Sequence, residues 1–419
     1  MPSRHFRIVV VGHVDHGKST LIGRLLHDSG ALPDGVLEDA RRDGATHPEW
    51  AFLMDHLEEE REQERTIESA QAFFATPTRT YRIIDAPGHK EFLRNMVTGA
   101  AQADAAVLVV DVEAGVQEQT RRHAALLDML GLRRVIVAIN KMDRVGGARE
   151  AFDATRQAVE TFLPEIGLAA AHVVPVSAME GWNLAARPGE LAWHDGPTLF
   201  EALDSLEPPK PPTDKPLRLP VQDVYVRNGR KVLVGRIESG RIAVGQTVLC
   251  LPWPETGRIA SVERFREERT SASCGESIGV TLEEGPAVKR GTILCDPESP
   301  PCMVRRFEAN VFWLGDAGWA RGDPIVLRCT TQEVAGRIER VERRIDSSSL
   351  EVVESDASRL ETTDAGRVEI ALARPIAAEP FRAGAALGRF VLLKNGVLSA
   401  GGTVASIPGA RANAGEPDE

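Results

Sequence analysis

The chain lacks any run approaching the roughly 20 apolar residues of a membrane-spanning helix, which excludes a helical membrane protein. Met1-Pro2-Ser3-Arg4-His5 lacks the long apolar segment of a signal peptide. Cysteine is scarce. Cys250, Cys274, Cys295, Cys302 and Cys329 are odd in number, confined to the second half and without metal-like spacing. That excludes a disulfide framework and predicts small core residues in a reduced compartment. A soluble, cytoplasmic protein with no membrane partner is expected. Basic excess is also missing, since 50 Lys and Arg face 61 Asp and Glu for a net charge of −11. This argues against a long basic nucleic-acid footprint and leaves a local basic patch open. No short-period repeat is present.

What is present suffices for several cores: 419 residues, 42% of them apolar, predict two to four domains. Apolar runs at 6–11, 81–85, 105–111, 134–139 and 172–176 alternate with segments of helical periodicity. This predicts an α/β domain over residues 1–207, with a mostly parallel sheet and helices on both faces. The Pro-rich stretch 208–216 reads as a stiff linker. Beyond it, short β-branched segments at 217–226, 231–237, 246–251, 258–265, 277–283 and 291–295 predict a β-barrel over 217–299. Segments near 303–313, 324–329, 333–345, 366–374 and 387–407 predict a second barrel over 300–408. Residues 409–419 read as a frayed tail.

The chemistry concentrates in the first domain. Gly12-His13-Val14-Asp15-His16-Gly17-Lys18-Ser19-Thr20 reads G-x-x-x-x-G-K-S between a strand and a helix, a phosphate-binding loop. Its amides and the helix N-terminus suit a polyphosphate. Lys18 suits the β and γ phosphates, and the Ser19 hydroxyl suits Mg²⁺. Asp85-Ala86-Pro87-Gly88-His89 ends another apolar run. Asp85 suits Mg²⁺ through water, the Gly88 amide suits the γ-phosphate, and His89 suits orienting the attacking water. Asn140-Lys141-Met142-Asp143 follows a third buried run. The Asp143 carboxylate suits guanine N1–H and N2–H₂, Asn140 braces the loop, and the Lys141 stem suits the base face. Ser177-Ala178-Met179 is weak alone. One βα unit after Asn140, its amides suit guanine O6. Thr66 lies where a loop would bring a second hydroxyl to Mg²⁺. The charge-dense stretch 57–65 reads either as a solvated helix face or as a switch segment.

These motifs together closely resemble the translation-factor class of GTPases. The likeness extends to Asp195-Gly196-Pro197-Thr198-Leu199, Gly235-Arg236-Ile237-Glu238-Ser239-Gly240 and Leu387-Gly388-Arg389-Phe390, which resemble the elongation factor 1-alpha branch. The resemblance implies a P-loop GTPase domain followed by two β-barrels, GTP and Mg²⁺ as ligands, and catalytic roles for Lys18, Thr66 and His89. Within the class, residues 55–63, Thr66-Ile67-Glu68-Ser69-Ala70-Gln71 and Pro220-Val221-Gln222-Asp223-Val224-Tyr225 resemble the GTPase subunit of bacterial sulfate adenylyltransferase. That likeness implies a regulatory subunit coupling GTP hydrolysis to adenosine 5′-phosphosulfate synthesis from ATP and sulfate. Its partner would be a separate small adenylyltransferase subunit. The alternative is an elongation factor carrying aminoacyl-tRNA, for which Arg227, Arg230 and Lys231 are the only tight basic group in the barrels. One departure from the class stands out. Arg65 occupies the position before the switch threonine where the class has an apolar partner for Val14, which implies an altered gate on hydrolysis.

Overall fold

The computed structural model describes residues 5–32, 50, 71–84, 103–209, 212–227, 229–264, 267–283, 286–347, 349, 351–381 and 385–408. The chain divides into two compact units, Met1–Pro209 with Ser347–Ser349, and Lys210–Asp346 with Leu350–Glu419. Among the described residues no helix is long and apolar enough to cross a membrane.

The first unit is built on a six-stranded sheet of β1 (Phe6–Gly12), β2 (Gln71–Ala75), β3 (Thr80–Ile84), β4 (Ala105–Asp111), β5 (Val135–Asn140) and β6 (Ala170–Pro175), in the order β2-β3-β1-β4-β5-β6. All pairings are parallel except β2 with β3. Every residue of β4 and β5 is buried, as expected for strands covered on both faces. The helices are α1 (Lys18–Asp28), α2 (Glu118–Met129), α3 (Arg149–Glu165) and α4 (Leu199–Ser205). Leu21, Ile22, Leu25 and Leu26 of α1 and Leu199, Ala202 and Leu203 of α4 enter one core with Ile8, Val10, Val107 and Ile136. The antiparallel edge strand β2 is the element that the sequence reading lacked. It alternates buried Ala72 and Phe74 with exposed Phe73, a period-2 signal spanning only five residues.

The Asp195–Leu199 motif acquires a structural meaning. Thr198 Oγ1 accepts the Glu201 amide at 3.2 Å, and Glu201 Oε2 accepts the Thr198 amide at 2.8 Å. This capping box starts α4 and satisfies two end groups reciprocally.

The second unit holds two closed antiparallel barrels. In the first, β7 (Arg218–Arg227) and β8 (Arg230–Arg236) join Ser277–Leu282, Glu255–Arg264, Thr247–Leu251 and Ile293–Cys295, which returns to β7. The second runs Pro324–Cys329, Arg389–Lys394, Val397–Ser406, Cys302–Trp313, Asp364–Ala378 and Gln332–Asp346, which closes on Pro324–Cys329. Closure leaves each barrel without open edges along its wall. The single segment expected at 387–407 is a hairpin. Asn395 and Gly396, at φ 53 and 78, turn the chain in the mirror-image geometry that hairpins favour. All five cysteines are free thiols, and burial pushes Cys250 up to about 11 and Cys295 and Cys329 up to about 12.

Candidate nucleotide site

The site lies at the carboxyl ends of the parallel strands, where this kind of sheet places ligands. β1 ends at Gly12 and the chain curls through Asp15 (φ 60) and Gly17 (φ 87) into α1. A Cβ at Gly17 would collide with Asn140 Nδ2, so the close approach of loop and base region requires glycine there. α1 carries no acid in its first turn, so its positive end is uncompensated from within. Lys18 Nζ donates to the His13 carbonyl oxygen at 2.6 Å, which lays the ammonium across the loop. Ser19 is exposed on the first turn.

Side chains from α2 hold this loop from behind. The Gly12 amide donates to His123 Nδ1 at 3.2 Å and the Val14 amide donates to Gln119 Oε1 at 3.3 Å. Burial, with the nearby Lys18 charge next, holds His123 down at about 3, so its ring is neutral and Nδ1 is the acceptor. Burial likewise holds His16 at about 4, and its Nδ1 accepts the Asp111 amide at 3.2 Å.

At the other end, buried Asn140 ties three segments together. Its Nδ2 donates to the His16 carbonyl at 2.9 Å, and its Oδ1 accepts the Ala178 amide at 2.9 Å. The Ala178 amide, expected at guanine O6, thus faces Asn140 in this structure. Asp143 Oδ1 accepts the Ser177 hydroxyl at 2.5 Å. Lys141, at φ 66, places Nζ 2.7 Å from Asp111 Oδ2. Burial pushes the Asp111 carboxyl up, but Lys141 and the Glu113 and Ala114 amides outweigh it, leaving the carboxyl below the usual range. Met179 lies 42% exposed at the rim.

The structure therefore brings residues 12–20 together with Asn140, Lys141, Asp143, Ser177, Ala178 and Met179. Thr66, Asp85, Gly88 and His89 lie outside the described residues, as does Arg65. The residues present fit a guanine nucleotide: a glycine-shaped cradle, a bare helix N-terminus, a lysine across it, and a carboxylate at the base end. Ser19 is the described candidate for Mg²⁺. Among the described residues no cluster of His, Cys, Asp or Glu makes a protein-only metal site. Sequence reasoning missed Asp111, Gln119 and His123. Asp111 had a readable signal, since it ends a buried run as Asp85 does. Gln119 and His123 had none, because their partners lie 105 and 111 residues away.

Residues 3–209 match the model for the elongation factor Tu GTP binding domain. Residues 230–295 match elongation factor Tu domain 2, and residues 306–405 match the GTP-eEF1A C-terminal domain-like family. The chain is similar to elongation factor 1-alpha of Pyrococcus furiosus, 40% identical over 96% of this chain and 98% of that protein. It is 39% identical to elongation factor 1-alpha of Archaeoglobus fulgidus, over 96% of this chain and 97% of that protein. The protein of that name from Methanopyrus kandleri is also 39% identical, over 96% of this chain and 98% of its own length. These matches overturn the expected assignment to a sulfate adenylyltransferase and the small adenylyltransferase subunit expected as its partner. Of the residues that carried that assignment, Pro220–Tyr225 is a wall segment of β7, a strand that any such barrel needs, and 55–63 and 66–70 lie outside the described residues. From the phosphate cradle to the second barrel, this chain belongs to the translation-factor GTPases of the elongation factor Tu and 1-alpha type, which bind GTP with Mg²⁺.

Proposed function

We propose that this protein is a translation elongation factor that carries aminoacyl-tRNA in its GTP-bound state and lets it go after hydrolysis. The observation that carries this reading is the similarity to elongation factor 1-alpha over 96% of the chain, both barrels included. The β7–β8 hairpin supports it. Tyr225 and Val226 are 57% and 73% exposed, and Arg227, Arg230 and Lys231 lie beside them, all exposed. An aromatic ring beside several cations suits an unpaired RNA end, with stacking for the base and charge for the phosphates.

Within this reading, residues 1–207 bind GTP, 208–216 link, and 217–299 and 300–408 are the barrels that meet the RNA. Lys18 and the loop amides of residues 12–20 bind phosphate. Asn140, Lys141, Asp143 and Ser177–Met179 recognise guanine. Ser19, Thr66 and Asp85 would hold Mg²⁺, which supplies charge neutralisation at the phosphates when bound. Gly88 reads the γ-phosphate and His89 orients water. The roles of Thr66, Asp85, Gly88 and His89 rest on their motifs. The test is gel filtration of the purified chain with aminoacyl-tRNA and either a non-hydrolysable GTP analogue or GDP. Co-elution in the GTP-analogue state alone is expected. Equal co-elution in both states, or none in either, would contradict the carrier reading.

A further inference from the structure

Arg24 lies on the second turn of α1, away from the phosphate cradle, yet it reaches the base end of the site. Its Nη1 donates to the Met179 carbonyl oxygen at 3.0 Å, 155 residues away. Its Nε donates to Asp28 Oδ1 at 2.8 Å, one helical turn on. The guanidinium carbon lies 5.1 Å from the Trp50 ring centroid. Gly181 (φ 78) completes the seat, because a Cβ there would collide with the guanidinium nitrogens. The side chain is only 17% exposed. Asp28 and Trp50 therefore fix Arg24 before it touches the loop, so little freedom remains to be lost when it bonds Met179 and seats against Gly181. A charge-assisted bond to a carbonyl is stronger than a neutral one.

We propose that Arg24 is a positioning residue for guanine recognition. It holds the Ser177–Met179 loop from outside at a fixed distance from α1, which itself begins at Lys18. Asn140 sets that distance from inside, through the His16 carbonyl and the Ala178 amide. Arg24 touches no part of the nucleotide. On the proposed reading its effect passes through the Ser177–Met179 loop, where the Ala178 amide rests on Asn140 Oδ1 until a base carbonyl competes for it, so it matters for ligands that carry O6. This inference rests on the guanine-nucleotide reading of the site.

The test compares GDP with 6-thioguanosine diphosphate, which keeps N1–H and the 2-amino group for Asp143 and puts sulfur, a weaker acceptor, in place of O6. Affinities are measured by displacement of a fluorescent nucleotide from the full chain. Arg24→Ala is expected to weaken GDP about tenfold and the analogue less than about twofold, with Arg24→Lys between wild type and Ala for GDP. Equal weakening of both ligands would make Arg24 a merely structural residue and overturn the proposal, as would no change in either. Where Arg24→Ala folds poorly by thermal melt, Arg24→Lys carries the same comparison. A wild type that fails to bind GDP would strike the site reading itself. Tight wild-type binding with an indifferent Arg24→Ala would strike this inference alone.

Discussion

On the proposed reading Asp143 carries base specificity with one carboxylate, and Ser177 holds one of its oxygens. An amide in its place presents one acceptor and cannot receive both N1–H and N2–H₂ from guanine. Asp143→Asn is expected to weaken GDP binding about 100-fold, the cost of a charge-assisted pair lost in a partly buried site. Equilibrium titration checks it, and unchanged affinity would place guanine recognition elsewhere. The neutral histidines make a second prediction. His123 and His16 titrate at about 3 and about 4 in the folded chain, against an ordinary value of 6.5. The unfolded chain therefore takes up protons first as pH falls. Their stability contribution is whole above about 6.5 and declines from there toward 4 for His16 and toward 3 for His123, by about 1.4 kcal/mol per pH unit per histidine. His123→Gln keeps an acceptor for the Gly12 amide and removes one of the two titrations. Thermal melts at pH 7 and pH 5 should show a smaller acid loss for the variant than for wild type. An identical loss would mean that His123 is not held neutral. At this scale the sequence was legible where function is local. Asn140 and Asp143 sit three residues apart in one loop, and the phosphate cradle is continuous. Arg24, Gln119 and His123 stayed hidden because each acts on a segment more than a hundred residues away.

Secondary elements place those residues through their ends. α4 starts at the Thr198–Glu201 capping box and packs Leu199, Ala202 and Leu203 into the core beneath the sheet. Thr198→Ala removes one side of the box and is expected to cost about 1 kcal/mol of stability while leaving the GDP/ADP preference intact. Denaturant melts with a parallel binding assay check both halves. A changed nucleotide preference would give Thr198 a role beyond capping. Strands were legible to within a few residues where apolar runs are long, as in β4 and β5. β2 and the hairpin at Asn395–Gly396 were not, the first because five residues carry little period, the second because two strands joined by a two-residue turn read as one apolar segment. The basic tip of β7–β8 belongs to this scale too. Reversing charge at Arg230 and Lys231 together should weaken tRNA binding and flatten its salt dependence by about two counterions' worth of slope. A salt series on the double variant reads it, and an unchanged slope would remove the hairpin from the RNA interface.

The chain as a whole combines a nucleotide switch with two barrels, and its net charge of −11 left its partner ambiguous in the sequence. Bulk charge describes long-range steering, whereas contact depends on local groups, and on the proposed reading Arg227, Arg230 and Lys231 are such a group. Fold class was legible throughout, because alternating βα periodicity and later β-only texture are global patterns. The finer choice within the class was not. The residues that suggested a sulfate adenylyltransferase lie largely before β2 or in a barrel wall strand, and neither location reports what the barrels bind. On the proposed reading the protein is a carrier whose grip on aminoacyl-tRNA depends on the γ-phosphate. The most direct test of that reading is the spontaneous hydrolysis rate of the aminoacyl ester with the protein in its GTP-analogue and GDP states. Strong protection in the GTP-analogue state and none with GDP is the expected result. Ester lifetimes that match free aminoacyl-tRNA in both states would contradict it.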